Sequence, residues 1–238
     1  MSQIIVPAGA DLLSIGKQAP RVALPLFYED WHDGFLDAVK WGVTLAVGGT
    51  SSTSKDGHQV AGLVSSARLG QVSAATDTAS LYTRQFFDPY YGQTALRSIT
   101  ERTCFEWEMD FGSSVTLVDN STTFFGLSAT QGGNRTTNNV IGFYFASDVL
   151  RAMVDSAATE TTSALTTAPN VGTPHKYGIK IDRVDGVRYY VDDVLQATTT
   201  TNIPNINAHH INFFYQGDTA AETYVYFGVI RAWREDLI

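Results

Sequence analysis

The sequence predicts an all-β protein built as a two-sheet antiparallel sandwich with an extended N-terminal arm. Short apolar runs separated by polar turns follow one another from residue 27 onward, which is typical of sandwiches and barrels. Within many of these runs apolar and polar residues alternate with the period of two that a half-buried strand requires. The only segments that suit helices are short, at Asp33–Lys40 and Ala74–Ala79.

The segment 176–198, KYGIKIDRVDGVRYYVDDVLQAT, has the clearest strand pattern. Successive strand side chains point to opposite faces, and the apolar positions alternate on both sides of Asp185-Gly186. Glycine adopts positive φ without steric cost, so this pair predicts a tight hairpin turn. Asp192-Asp193 predicts a second turn. The predicted buried face consists of Tyr177, Ile179, Ile181, Val187, Tyr189 and Val191.

The other elements follow in chain order. Trp31, Phe35 and Trp41 are predicted core anchors of the opening segment. TSSTSKDG (50–57) is predicted to be a turn, and the Thr/Ala/Ser-rich stretch 156–174 a long loop. Further strands are predicted within residues 27–43, 58–70, 81–87, 102–112, 122–130, 139–147, 150–156, 210–217 and 222–233.

Residues 1–26 differ in character from the sandwich domain predicted at 27–238. Three prolines, at positions 7, 20 and 25, interrupt short apolar pieces, and each proline removes a backbone donor. Two interpretations are almost equally supported. The segment is either an edge strand folded onto its own domain or an arm that docks on another subunit. The side chains that would dock are Ile4, Ile5, Val6, Leu12, Leu13 and Ile15.

Composition restricts the partners. The chain has 238 residues, 44% hydrophobic and 17% charged, with a net charge of −8. This balance suits a folded core and argues against a nucleic-acid partner, which needs a basic surface. No signal peptide or stretch long enough to span a bilayer is visible, so synthesis in a cytoplasm and no membrane partner are expected. The single cysteine, Cys104, is expected to be a buried, inert thiol.

The order of the segments FYEDWHDGFLDAVKW, KDGHQVAGLV, FEWEMDF, YGIKIDRVDGVRYYVDD and YVYFGVIRAW resembles the concanavalin A-like lectin/glucanase jelly roll, laminin-G-like domains included. The resemblance implies two curved antiparallel sheets and allows lectin, glycosidase or structural roles. In glucanases of this family a central strand carries a Glu-x-Asp-x-x-Glu motif. Here position 108 is Glu rather than Asp, and no Glu follows at 109–112. No catalytic residue is therefore predicted.

The carboxylates Glu106, Glu108 and Asp110 still form a candidate carbohydrate face. Period two places them on one side of a strand, opposite Phe105, Trp107, Met109 and Phe111. Residues i and i+2 lie about 6.5–7 Å apart, compatible with the roughly 5–9 Å between glycosidase carboxyl groups. The favoured interpretation is instead a solvated face, neutralised by Lys or Arg on neighbouring strands. Tyrosines that could stack on sugar rings are Tyr189, Tyr190, Tyr215, Tyr224 and Tyr226.

Metal and cofactor chemistry is not predicted. Asp182, Asp185, Asp192 and Asp193 fall at strand ends and turns, where Asp is common, so turn chemistry is favoured over a calcium site. The five histidines lack zinc-ligand spacing.

Two functional hypotheses remain. The first is a non-enzymatic structural virion protein, a phage capsid decoration or surface protein that docks on other virion subunits and forms homo-oligomers. The absence of a signal peptide, the broken motif and the apolar arm motivate it. The alternative is a carbohydrate-binding module or a degenerate glucanase-like receptor-binding protein, motivated by the carboxylate face and the tyrosines.

Overall fold

The structure is a computed structural model. It describes residues 23–31, 36–46, 49–54, 66–71, 78–85, 101–110, 123–146, 149–166, 173–182, 185–204, 209–216 and 223–236. Within these ranges the chain is all-β, and no helix is long and apolar enough to cross a membrane.

The described strands, numbered in chain order, form two antiparallel sheets, as the sequence predicts. The eight-stranded sheet has the order β13-β12-β11-β6-β15-β4-β3, with β1 also paired to β15. Its strands are β1 (Ala23–Glu29), β3 (Gly49–Ser54), β4 (Ser66–Gln71), β6 (Glu101–Asp110), β11 (His175–Asp182), β12 (Gly186–Val191), β13 (Val194–Thr199) and β15 (Thr223–Asp236). The seven-stranded sheet has the order β10-β9-β8-β7-β14-β5-β2. Its strands are β2 (Trp41–Ala46), β5 (Thr78–Thr83), β7 (Phe124–Ser128), β8 (Val140–Ala146), β9 (Val149–Ser156), β10 (Thr159–Ala164) and β14 (His210–Gln216).

The core lies between the two sheets and is rich in aromatic rings. Trp107 of β6 is fully buried and lies 5.8 Å from Tyr177, 5.6 Å from Phe143 and 5.7 Å from Phe213, measured between ring centroids. Phe143 and Phe213 belong to the other sheet, so these contacts join the layers. Such pairs stabilise beyond their buried area by about 0.5–1.5 kcal/mol each.

The predicted hairpin turns are confirmed. Gly186 has φ 92° at the β11–β12 turn, where the Asp185 amide donates to Asp182 Oδ1 at 3.1 Å. Asp192 and Asp193, with φ 49° and 65°, make the turn into β13. Gly186, Asp192 and Asp193 therefore have positive φ, which Gly, Asn and Asp tolerate best.

Two predicted turn or loop segments are strands instead. Six residues from Gly49 to Ser54, mostly within TSSTSKDG, form β3 and pair with β4. In the stretch 156–174, Thr159–Ala164 forms β10 and pairs with β9. Both strands lie at sheet edges, where a strand can pair without an apolar face. Their sequences therefore lack the alternation of apolar and polar residues, and the β-branched threonines are the remaining sign of a strand.

The two predicted helices are not present in their described parts. Residues 38–40 form a turn, in which the Trp41 amide donates to the Asp37 carbonyl at 2.8 Å, and Ala79 belongs to β5. Residues 33–35 and 74–77 lie outside the described residues. Trp31 and Trp41 are core residues as predicted, each 1% exposed, whereas Phe35 is not among the described residues.

The sandwich begins earlier in the chain than the predicted boundary between residues 26 and 27. β1 begins at Ala23 and pairs with β15, so residues 23–26, assigned above to the arm, belong to the sandwich. Residues 1–22 lie outside the described residues, including the proposed docking side chains Ile4, Ile5, Val6, Leu12, Leu13 and Ile15.

Candidate functional site

The outer face of the eight-stranded sheet carries the three predicted carboxylates. The alternation along β6 is as expected: Phe105, Trp107 and Met109 enter the core. Glu106 and Asp110 point the other way but are only 3% and 1% exposed, while Glu108 is half-buried. The fourth apolar residue of the pattern, Phe111, lies outside the described residues.

Neighbouring strands present cations to these carboxylates. The strand register places Lys176 of β11 opposite Glu108 and Arg231 of β15 opposite Glu106. Arg231 Nη2 lies 3.9 Å from Glu106 Oε1. Lys176 Nζ contacts Asp193 Oδ2 at 2.5 Å. The neighbouring strands thus supply the cations that the favoured interpretation expects, but the face is not solvated as that interpretation requires, because Glu106 and Asp110 are buried.

Glu106 is the most perturbed acid of this face. Burial raises its pKa to about 7, and the attraction of Lys176 and Arg231 offsets only part of that effect. Its Oε2 atom is buried without a hydrogen-bond partner. An unbonded buried oxygen favours the protonated acid. Near neutral pH the carboxyl group is therefore a mixture of both forms and can donate or accept a hydrogen bond.

A β-bulge holds Glu108 in place. The pairing of β15 with β6 shifts register between Phe227 and Ile230. At this bulge the Val229 amide donates to Glu108 Oε2 at 3.4 Å. The Gly228 carbonyl accepts a 2.7 Å hydrogen bond from the Trp31 indole N–H. Gly228 within the apolar pattern of β15 is the sequence signal for this bulge.

The bulge lies where β15 changes partners. On one edge β15 pairs with β6. On its other edge it pairs with β4 over Thr223–Phe227 and then with β1 from Ile230 onward. The outer face therefore presents a β4 residue, Arg68, on one side of the bulge and Arg231 on the other.

Tyrosines border this group of charges. The Arg68 guanidinium lies 4.1 Å from the centre of the Tyr224 ring, and the rings of Tyr224 and Tyr226 are 6.3 Å apart. Tyr28 pairs with Arg231 and is 53% exposed. Burial and the nearby Asp30 raise its pKa. Arg68, Arg231 and Tyr28 were not among the predicted site residues, because nothing in their local sequence marks them.

The remaining predicted tyrosines divide between core and outer face. Tyr189 and Tyr215 belong to the core. Tyr190 packs on the outer face with Trp233 and with Cys104, which is buried as predicted.

The four aspartates considered for calcium occupy strand ends and turns. Asp185 accepts from Arg102 Nη2 at 2.7 Å and from Arg188 Nη2 at 2.8 Å, and the bond from Arg188 lowers its pKa. Asp182 accepts from Arg102 Nε at 3.0 Å, and Asp192 contacts His175 Nδ1 at 2.7 Å. Across the described ranges, no three His, Cys, Asp or Glu side chains are grouped so that they could hold a metal ion.

The outer face of the seven-stranded sheet is covered by the loop 129–139. Asn212 Nδ2 donates to the Gly133 carbonyl. The Arg135 guanidinium lies 4.0 Å from the centre of the Tyr144 ring and pairs with Glu160 at 2.8 Å. A ligand approaching that sheet would meet the loop first, whereas the eight-stranded sheet exposes Tyr28 and part of Arg231.

The sequence matches no protein-family model and no curated protein.

Solved structures share the fold. The carbohydrate recognition domain of Emp47p superposes with a TM-score of 0.56 at 12% identity, covering 91% of this chain and 95% of that one. A Bacillus licheniformis β-glucanase gives 0.56 at 13% identity, with 87% and 96% covered. Peanut lectin gives 0.55 at 8% identity, with 91% and 98% covered. The chain therefore has the concanavalin A-like lectin/glucanase jelly-roll fold.

Proposed function

We propose that this jelly roll is a non-catalytic carbohydrate-binding protein whose glycan lies on the outer face of the eight-stranded sheet. One observation carries the proposal: two arginines without a hydrogen-bonded carboxylate among the described residues, Arg68 and Arg231, lie on the same face as tyrosine rings. The tyrosines are Tyr28, Tyr224 and Tyr226.

A sugar ring requires both kinds of group. Its hydroxyl groups form hydrogen bonds, and its C–H faces pack on aromatic rings. A buried polar atom without a partner costs about 1–3 kcal/mol, and a hydrogen bond to a charged group contributes about 1.5–3 kcal/mol. Sugar hydroxyls can form such charged hydrogen bonds with Arg231, whose side chain is 22% exposed.

The structural neighbours support the glycan hypothesis over the virion hypothesis. Two of the three named above are a carbohydrate recognition domain and a lectin, and the third is a β-glucanase. None of the three is a virion protein. The arm that motivated docking on a capsid lies outside the described residues, apart from 23–26.

Hydrolysis is the second candidate, and Glu106 is the reason. A pKa near 7 suits a general acid in a glycosidase. Binding without turnover is favoured because Glu108 accepts a hydrogen bond from the bulge amide of Val229, which holds it as part of the sheet. The departure from the glucanase motif at position 108 also favours binding without turnover.

The test is a glycan titration of matched variants. Wild type, Tyr28→Ala and Arg231→Gln are screened against β-glucan and galactan oligosaccharides by calorimetry, with reducing-sugar release measured in parallel. Each variant should lose about tenfold in affinity, the effect of one charge-assisted bond or stacked ring. Arg135→Gln, on the other sheet, is the matched control and should bind normally. Unchanged affinity in both variants contradicts the proposed site, and turnover that disappears in Glu106→Gln establishes the hydrolase instead.

A further inference from the structure

We infer that the bound glycan is acidic and that Arg68 holds its anionic group, a uronate carboxylate or a sulfate ester. This inference rests on the proposed function and specifies the ligand of the same face. It depends on three features of the described residues: the environment of Arg68, the incomplete pairing of Arg231, and the local balance of charge.

Arg68 has a stacked guanidinium with no anionic partner among the described residues. The group lies over the Tyr224 ring at 4.1 Å, and its Nε is buried without a hydrogen-bond acceptor. No ion pair joins it to a carboxylate within the part of the chain that the structure describes. Three other arginines, Arg102, Arg135 and Arg188, each contact a carboxylate at 2.7–3.2 Å, whereas Arg151 shares with Arg68 an Nε without an acceptor.

Stacking orients the Arg68 guanidinium for an anion. Stacking on a ring uses the face of the guanidinium and leaves its N–H edge for hydrogen bonding. An anion with two adjacent oxygens can accept from the two Nη groups together, a geometry in which arginine recognises carboxylates and related oxyanions. A single sugar hydroxyl would fill only one of the two positions.

Arg231, on the far side of the bulge, is also incompletely paired. Its Nε lacks an acceptor, and its nearest approach to Glu106 is 3.9 Å, longer than a hydrogen bond. Because Glu106 is partly protonated near neutral pH, the charge of Arg231 is not fully neutralised. Two cations thus flank Glu108, one on each side of the bulge, and could hold an oligosaccharide that carries repeated acid groups.

The negative net charge of the whole protein means that an acidic glycan can bind only where cations are concentrated locally. The chain has a net charge of −8, which repels an acidic polymer at long range. Binding of such a polymer must therefore depend on local cations, and on this face these are Arg68 and Arg231, because Lys176 pairs with Asp193. The affinity for an acidic glycan should accordingly fall as salt concentration rises.

The test compares acidic oligosaccharides with their neutral counterparts. Calorimetric titrations use oligogalacturonides against the same chains after reduction of their carboxyl groups, and sulfated galactan oligosaccharides against desulfated ones. The two pairs distinguish carboxylate from sulfate. Wild type should bind one acidic form at least about tenfold more tightly than its neutral counterpart, as one charge-assisted hydrogen bond would provide. Arg68→Gln should lose that preference and bind both forms with similar affinity, and Arg135→Gln should retain the wild-type preference.

Each outcome decides the inference. Equal affinity for acidic and neutral forms overturns it but leaves the proposed function standing, whereas no binding to any of the glycans overturns both. A preference that survives in Arg68→Gln overturns the assignment to Arg68. Circular dichroism and thermal melting check the fold of each variant. Should Arg68→Gln not fold, Arg68→Lys replaces it: this variant keeps the charge, loses the planar fork and should lose most of the preference.

Discussion

Replacing Glu106 by glutamine should stabilise the protein in a pH-dependent way. Burial raises the pKa of this carboxyl group from 4.5 to about 7. At about 1.4 kcal/mol per pKa unit, that rise corresponds to about 3 kcal/mol of free energy between the protonated and ionised forms. Glutamine has nearly the shape of the protonated acid and does not ionise, so the variant avoids this cost.

The direction of this pH dependence follows from the number of protons that the folded and unfolded states bind. Below pH 4.5 both the folded and the unfolded wild type hold the proton, and Glu106→Gln should change stability little. Between pH 4.5 and 7 the unfolded chain releases the proton while the folded chain keeps it, so wild-type stability falls as pH rises. Above pH 7 the folded protein carries a buried carboxylate, and the variant should be more stable by about 3 kcal/mol.

Urea denaturation at pH 4, 6 and 8, followed by tryptophan fluorescence, measures this difference. Glu160→Gln is the control, because Glu160 pairs with Arg135 on the other sheet and a surface ion pair contributes at most about 1 kcal/mol. An equal difference between Glu106→Gln and wild type at pH 4 and pH 8 would show that Glu106 is not the titrating group. A variant less stable than wild type at pH 8 would mean that the ionised form stabilises the fold, contrary to the argument.

Two further predictions concern stability. Burial and the neighbouring His210 lower the pKa of His209 to about 4, so wild-type stability should fall as pH drops from 6.5 towards 4, by up to about 3 kcal/mol. His209→Gln should depend less on pH in the same urea titrations, and an unchanged dependence would contradict this. Ala158→Gly should raise the free energy of unfolding by about 0.5–1 kcal/mol, because Ala158 adopts φ 70° in the β9–β10 turn. Thermal melting measures this, and a lower melting temperature would exclude strain at that turn.

The sequence alone determined the strands whose two faces differ. In β6 and in the β11–β12 hairpin, core-facing and outward-facing positions alternate, because neighbours i and i+2 share a face wherever the strand is placed. The burial of the outward-facing Glu106, Lys180 and Asp182 was not predicted. The turns at Asp185-Gly186 and Asp192-Asp193 could be predicted for a local reason as well, since their residue types suit positive φ. The carboxylate face of Glu106, Glu108 and Asp110 follows from the same periodicity.

Only the tertiary structure determined the edge strands, the pKa of Glu106 and the grouping of the site residues. The edge strands β3 and β10 are polar and have no apolar face to alternate, so only their backbone pairing identifies them. The pKa of Glu106 depends on how deeply the neighbouring strands bury it. Arg68, Glu106 and Arg231 meet on one face because β15 pairs with both β4 and β6. That pairing joins segments far apart in the chain, and it is set by how the two sheets pack their aromatic core, which no local stretch of sequence specifies.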